Sequence, residues 1–112
     1  MELTGTGVWS HELRYGDPGE VRDAAAELES LGYTAAWIPD VGGDLFTPLA
    51  HLLASTSTMV TATGILNIWM HTPADVGAWR DALADGQRAR LLLGLGVSHA
   101  PLIDAQPGMS WT

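Results

Sequence analysis

The chain carries four histidines, and three of them follow apolar, strand-like runs. His11 lies in Ser10-His11-Glu12, His71 closes Asn67-Ile68-Trp69-Met70-His71, and His99 ends Gly94-Leu95-Gly96-Val97-Ser98-His99. Asp40 opens a further loop of this kind, Asp40-Val41-Gly42-Gly43-Asp44. Loops at the carboxyl ends of parallel strands are where α/β proteins collect their ligands. Imidazoles placed there can exchange protons near neutral pH. Two histidines and a carboxylate on separate strand ends can also hold Zn²⁺ or Fe²⁺. These residues lack the i, i+4 ligand spacing of a helix, so no metal site is assigned. His51 falls inside a predicted helix and reads as structural. A serine hydrolase ranks lower still. Ser98 lacks the G-x-S-x-G elbow, and its histidine neighbour is adjacent in sequence, the wrong geometry for a base. The glycine-rich strand end 94–99 lacks the third glycine of a dinucleotide fingerprint. Its small residues read more simply as places where a backbone or a ring approaches closely. Trp37 reads as core, whereas Trp9 and Trp69 have the shape and position to cover a flat ligand.

These groups need a scaffold, and one grammar recurs three times: an apolar run, a polar loop, then a capping residue followed by proline. The caps are Asp17-Pro18, Thr47-Pro48 and Thr72-Pro73. Proline suits a first helical turn because its missing N–H has no partner there anyway. Glu20 and Asp75 complete two capping boxes with acidic groups at the positive helix end. A helix is predicted from about Pro18 to Leu31, with Val21, Ala24, Ala25, Leu28 and Leu31 forming one stripe and Gly32 as its stop. A second starts at Pro48 with Leu49, Leu52 and Leu53 inward. A third runs from Pro73 towards Leu83 and stops at Gly86. Strands are predicted over Thr6–Trp9, Thr34–Ile38, Thr58–Leu66 and Arg90–Leu95. Ala35-Ala36-Trp37-Ile38 and Leu91-Leu92-Leu93-Gly94-Leu95 are continuously apolar, the mark of parallel strands buried on both faces. The order is β-α-β-α-β-α-β, an α/β unit with a parallel sheet. After Leu95 no fourth helix is predicted, and a loose tail starts from about residue 104.

The 112 residues suit one domain, here 1–112. Hydrophobic residues at 46% against 16% charged place it among globular chains. Five Lys+Arg against thirteen Asp+Glu give a net charge of -8, which repels phosphate backbones and excludes nucleic acid as a partner. The absence of cysteine removes disulfides, thiolate metal sites and a Cys nucleophile, and it fits a reducing cytoplasm. No apolar run is long enough to span a bilayer, and Met1-Glu2-Leu3-Thr4 does not open a signal peptide. The expectation is a cytoplasmic protein with no membrane partner.

The run Leu28–Asp40 resembles the first helix and second strand of the bacterial luciferase-like superfamily. Ala62-Thr63-Gly64-Ile65-Leu66, followed by His71-Thr72-Pro73, is similar to its third strand and next helix cap, and Arg90–His99 to its fourth strand. In order, over about residues 5–103, these motifs look most like the deazaflavin (coenzyme F420)-dependent oxidoreductase branch. The resemblance implies a TIM-type (β/α)8 barrel, of which this chain is the N-terminal half, and hydride transfer with coenzyme F420 or FMN. It implies a non-prolyl cis peptide at Gly64-Ile65 behind the cofactor ring. The cofactor-contacting set it implies is Trp9, Asp40, Gly64, Ile65, Leu66 and Gly96. Asp40 matches an acidic residue that in many members precedes a catalytic histidine; here the next residue is Val41. His99 occupies a position where some deazaflavin enzymes place a glutamate acid, so it is the implied catalytic proton donor. The later barrel strands, which usually supply much of the phosphate-side binding, are not in this sequence. The expectation is therefore an oxidoreductase half that binds its cofactor weakly when alone. Its exposed parallel edges would favour a homo-oligomer. The alternative is a non-enzymatic half-barrel interaction module.

Overall fold

A computed structural model describes residues 1–106 and 108–110. Four short runs form strands: β1 (Gly7–Trp9), β2 (Ala35–Ile38), β3 (Val60–Asn67) and β4 (Leu91–Gly96). All three pairings are parallel and the spatial order follows the chain, β1-β2-β3-β4. The helices are α1 (Glu12–Tyr15), α2 (Pro18–Ser30), α3 (Phe46–Ser55), α4 (Pro73–Asp81), α5 (Asp85–Arg88) and α6 (Ala100–Asp104). This is the α/β architecture of half a TIM-type barrel. Among the described residues no helix is long and apolar enough to cross a membrane.

Local chemistry explains most boundaries. Asp17 Oδ2 accepts the Glu20 N–H at 3.1 Å, and Thr72 Oγ1 accepts that of Asp75 at 3.1 Å. Both carry proline in the first helical turn, as the cap-proline pairs predict. Gly32, at φ 96°, ends α2 as the Tyr33 N–H reaches back to Leu28 O at 3.1 Å.

Several expectations are corrected. The short α1 starts within Ser10-His11-Glu12, which was expected to be a loop. The second helix begins at Phe46, not Pro48, because Asp44 rather than Thr47 caps it. Asp44 Oδ1 accepts the N–H groups of Phe46 (3.0 Å) and Thr47 (3.2 Å), and Oδ2 accepts the Thr47 hydroxyl. The Thr47 hydroxyl bond, aided by those N–H groups and by Arg14 and opposed by partial burial, holds the Asp44 carboxyl below its usual range. The third helix ends at Asp81, and Gly86 lies inside α5 rather than stopping the helix before it. Arg88 Nη2 gathers this turn by donating to Leu83 O (3.1 Å) and Asp85 Oδ1 (2.8 Å). Finally, α6 forms where no helix was predicted, since Pro101 presets its first turn and Ile103 is fully buried. Of the expected loose tail, Pro107, Trp111 and Thr112 lie outside the described residues.

The sheet separates two apolar layers. On the helix side Leu13, Val21, Ile38, Leu49, Leu52 and Leu66 belong to one buried cluster. On the opposite face Ala35, Val60 and Ala62 pack with Trp37 and Leu92. β2 is buried nearly throughout, as its apolar run predicts. β4 departs from that expectation: it is the sheet's edge, and Leu95 is 64% exposed.

Two charged side chains secure the amino-terminal end of the sheet. Glu29 of α2 accepts the N–H groups of Ser57, Thr58 and Met59 ahead of β3. Partial burial pushes its pKa up, but those N–H groups and the Ser57 hydroxyl outweigh it and lower the value to about 2. Arg90, just before β4, donates to Leu53 O, Thr56 O, Thr56 Oγ1 and Met59 O at 2.9–3.2 Å.

Candidate functional site

The face opposite the main core carries an aromatic surface. Trp9 and Trp37 are register partners on β1 and β2, and Trp37 pairs onward with Ala62 of β3. Trp9 is 56% exposed, and its indole N–H donates to Gly64 O at 2.8 Å. The peptide between Gly64 and Ile65 is cis, and the β3–β4 register shifts between Thr63 and Leu66. A register shift of this kind bends the strand and re-aims its side chains. A Cβ on Gly64 would sit 3.2 Å from Trp37 Cδ1 and 3.3 Å from Trp9 Cδ1. The glycines of β4 have their own structural cause. A Cβ on Gly94 would meet Thr63 O at 2.5 Å, and one on Gly96 would meet the Ile65 side chain at 2.7 Å. Close approach, rather than a phosphate cradle, explains this strand end.

Behind that surface lies a buried polar cluster. Asp40 follows β2, and its side chain has no exposure. Its Oδ2 accepts the Asn67 backbone N–H at 2.9 Å and lies 2.8 Å from His71 Nε2. A carboxylate only accepts, so Nε2 carries the proton of that bond. The His71 side chain is 9% exposed and lies against Phe46, ring centroids 5.4 Å apart; Phe46 in turn stacks on Trp79 at 5.0 Å. Asn67 Oδ1 accepts the Trp69 N–H at 3.0 Å, and Trp69 Nε1–H donates to Val97 O at 2.8 Å. The Trp69 indole therefore bridges the loops after β3 and β4.

The residues singled out in the sequence thus divide. Trp9, Gly64 and Ile65 come together, and Gly96 lies beneath the Ile65 side chain. Leu66 turns its side chain into the helix-side core at 2% exposure, so only its backbone reaches the opposite face. Asp40 stands behind the sheet end. His99 is exposed at the start of α6, and its side chain makes no capping bond. Among the described residues no group of three or more His, Asp or Glu is arranged to hold a metal ion. The Asp40–His71 contact was missed in the sequence. One signal for it existed: consecutive strands of βα units lie side by side, so the loops after β2 and β3 are neighbours.

The sequence profile described as luciferase-like monooxygenase matches residues 2–112. The chain belongs to this family. Three uncharacterized relatives, one from Mycobacterium bovis and two from strains of Mycobacterium tuberculosis, are each 32% identical over 89 residues. That stretch is 80% of this chain and 26% of each relative, so the chain spans about a quarter of their length. Luciferase-like proteins generally use flavin or deazaflavin cofactors. The exposed Trp9 indole, the half-buried Trp37 and the side-chain-free Gly64 fit the flat ring of such a group. The phosphate arm finds less. The five basic residues are all arginines; Arg14 donates to Gly42 O, Arg88 and Arg90 hold backbone carbonyls, and Arg22 and Arg80 lie on α2 and α4.

Proposed function

We propose that this chain is the ring-binding half of a luciferase-like flavin- or deazaflavin-dependent oxidoreductase, of the coenzyme F420 branch or one using FMN. The observation that carries the reading is the surface formed by the exposed Trp9, its register partner Trp37 and Gly64 on the face opposite the main core. Bound there, the cofactor supplies hydride chemistry. The chain's own residues hold and orient its ring: Trp9 and Ile65 flank the position, and Gly64 leaves room for the Trp9 and Trp37 indoles that form the surface. Apolar neighbours on that face, Ala62 and Leu92, exclude water from it. His99, exposed beyond β4, holds the proton to be exchanged on an imidazole nitrogen. With Arg14, Arg88 and Arg90 engaged by backbone carbonyls and Arg22 and Arg80 placed on α2 and α4, binding by this chain alone is weak. Tryptophan quenching on titration with FMN and with the deazaflavin coenzyme tests the reading; absence of saturable quenching by either contradicts it.

A second reading has its own support. Ile68, Leu95 and Val97 are 48–64% exposed at the β4 side, and β1 leaves a second parallel edge. These features suit a half-barrel that self-associates or pairs with a partner half without catalysis. The reading requires oligomers that form in the absence of any cofactor.

A further inference from the structure

We propose that His71 is a positioning residue for the ring face, acting through Asp40 on the backbone that carries Gly64 and Ile65. The inference rests on the ring-binding reading and extends it to a residue on the other side of the sheet end. One oxygen, Asp40 Oδ2, receives both the His71 Nε2–H at 2.8 Å and the Asn67 N–H at 2.9 Å. Asn67 is the last residue of β3, two positions after the Gly64–Ile65 peptide, and it pairs with Gly96. Gly64 O in turn receives the Trp9 indole N–H at 2.8 Å. Side chain, carboxylate, strand end and tryptophan thus form one connected series. With only the Asn67 N–H as donor, the carboxylate could rotate about its side-chain torsions. The imidazole fixes it, and the Phe46 ring packed against His71 and stacked on Trp79 fixes the imidazole.

The composition of the cluster argues for more than packing. Asp40 Oδ1 and Asn67 Nδ2 are buried without a hydrogen-bond partner among the described residues. Leaving such atoms unpaired is costly, and the cluster retains them while serving the Asn67 N–H. Local rules broken in this way mark places where a protein trades stability for position. His71 also comes from the loop after β3, while the residue following Asp40 is the exposed Val41. The imidazole hydrogen-bonded to Asp40 therefore comes from the neighbouring strand's loop.

The test uses the full chain and begins without cofactor. His71→Leu removes the donor, and His71→Gln keeps an N–H that can reach Asp40. In His71→Leu, amide exchange at Asn67 should accelerate about tenfold, the factor expected for one lost charge-assisted hydrogen bond. The Trp9 indole N–H resonance should move, and FMN affinity should fall by a similar factor. His71→Gln should restore all three most of the way. If His71→Leu does not fold, Asp40→Asn is read by the same resonances. A variant that merely melts earlier, with the Trp9 resonance and Asn67 exchange unchanged, overturns the proposal. Should FMN fail to bind the wild-type chain, the ring-binding reading falls separately, while the two cofactor-free signals still decide the role of His71.

Discussion

At the residue scale the ring face depends on Gly64, because any Cβ there meets both tryptophans within 3.3 Å. Gly64→Val should displace the Trp9 indole and weaken ring binding about tenfold or more. Fluorescence titration checks this, and an unchanged dissociation constant would remove Gly64 from the site. His99 is tested differently. It is exposed and bears no capping bond, so His99→Ala should abolish turnover of a loaded enzyme while leaving cofactor affinity within experimental error. Full turnover in that variant would reject the proton-donor role. Gly64 and Ile65 were singled out through the family resemblance and Trp9 from its place on a strand, and the fold sets the three side by side. The sequence did not reveal that Asp40 meets His71, 31 positions away. That contact exists only once two crossovers have set β2 beside β3.

At the element scale, the clasps at the amino-terminal end of the sheet carry stability rather than chemistry, as that end does in barrels. Arg90→Met removes four hydrogen bonds to the end of α3 and the start of β3. It should cost about 2–3 kcal/mol, roughly 10 °C or more in Tm. Calorimetry of the variant checks it, and an unchanged Tm would show the clasp to be idle. Glu29 adds a pH dependence. Its carboxyl falls from 4.5 to about 2 in the folded chain, so the unfolded chain takes up that proton first as pH drops. The stabilisation is complete above about 4.5 and is lost progressively towards pH 2. Glu29→Gln should lower stability by about 1–2 kcal/mol at neutral pH, a figure reduced for solvent screening. The difference from wild type should shrink on acidification, and denaturant melts at pH 7 and pH 3 measure it. A difference that grows at low pH would contradict the assignment. The principal elements were legible because their signals are local: Asp17 and Thr72 cap the turns that follow them, and Gly32 takes the left-handed backbone its position requires. The short α1, the start of α3, the extra turn α5 and the terminal α6 were not. Asp44 competes with a cap signal of the same chemical type, Arg88 draws in carbonyls from a neighbouring turn, and Ile103 gains its burial only from the assembled fold.

At the scale of the whole molecule, the four-stranded parallel sheet has, among the described residues, two unpaired edges and a second apolar face opposite the main core. Its net charge of -8 works against self-association. If two copies close on one another, like charges are brought together, so added salt should strengthen the dimer by screening them. Light scattering at two salt concentrations about a decade apart, roughly 0.05 and 0.5 M, follows this directly; a mass that stays monomeric at every concentration would remove the self-association reading. The strand number and parallel order were legible in the spacing of the apolar runs. What covers β4 was not, since a continuous apolar run looks the same whether it lies inside a sheet or at its edge, as Leu95 at 64% exposure does. The central claim is that a flavin-type ring rests against Trp9 and Gly64. It is tested most directly by titrating FMN and the deazaflavin coenzyme into the chain while recording tryptophan emission and the Trp9 indole resonance together. Binding of the ring there predicts saturable quenching with a concerted shift of that resonance. Emission and resonance unchanged at high cofactor concentration would contradict it.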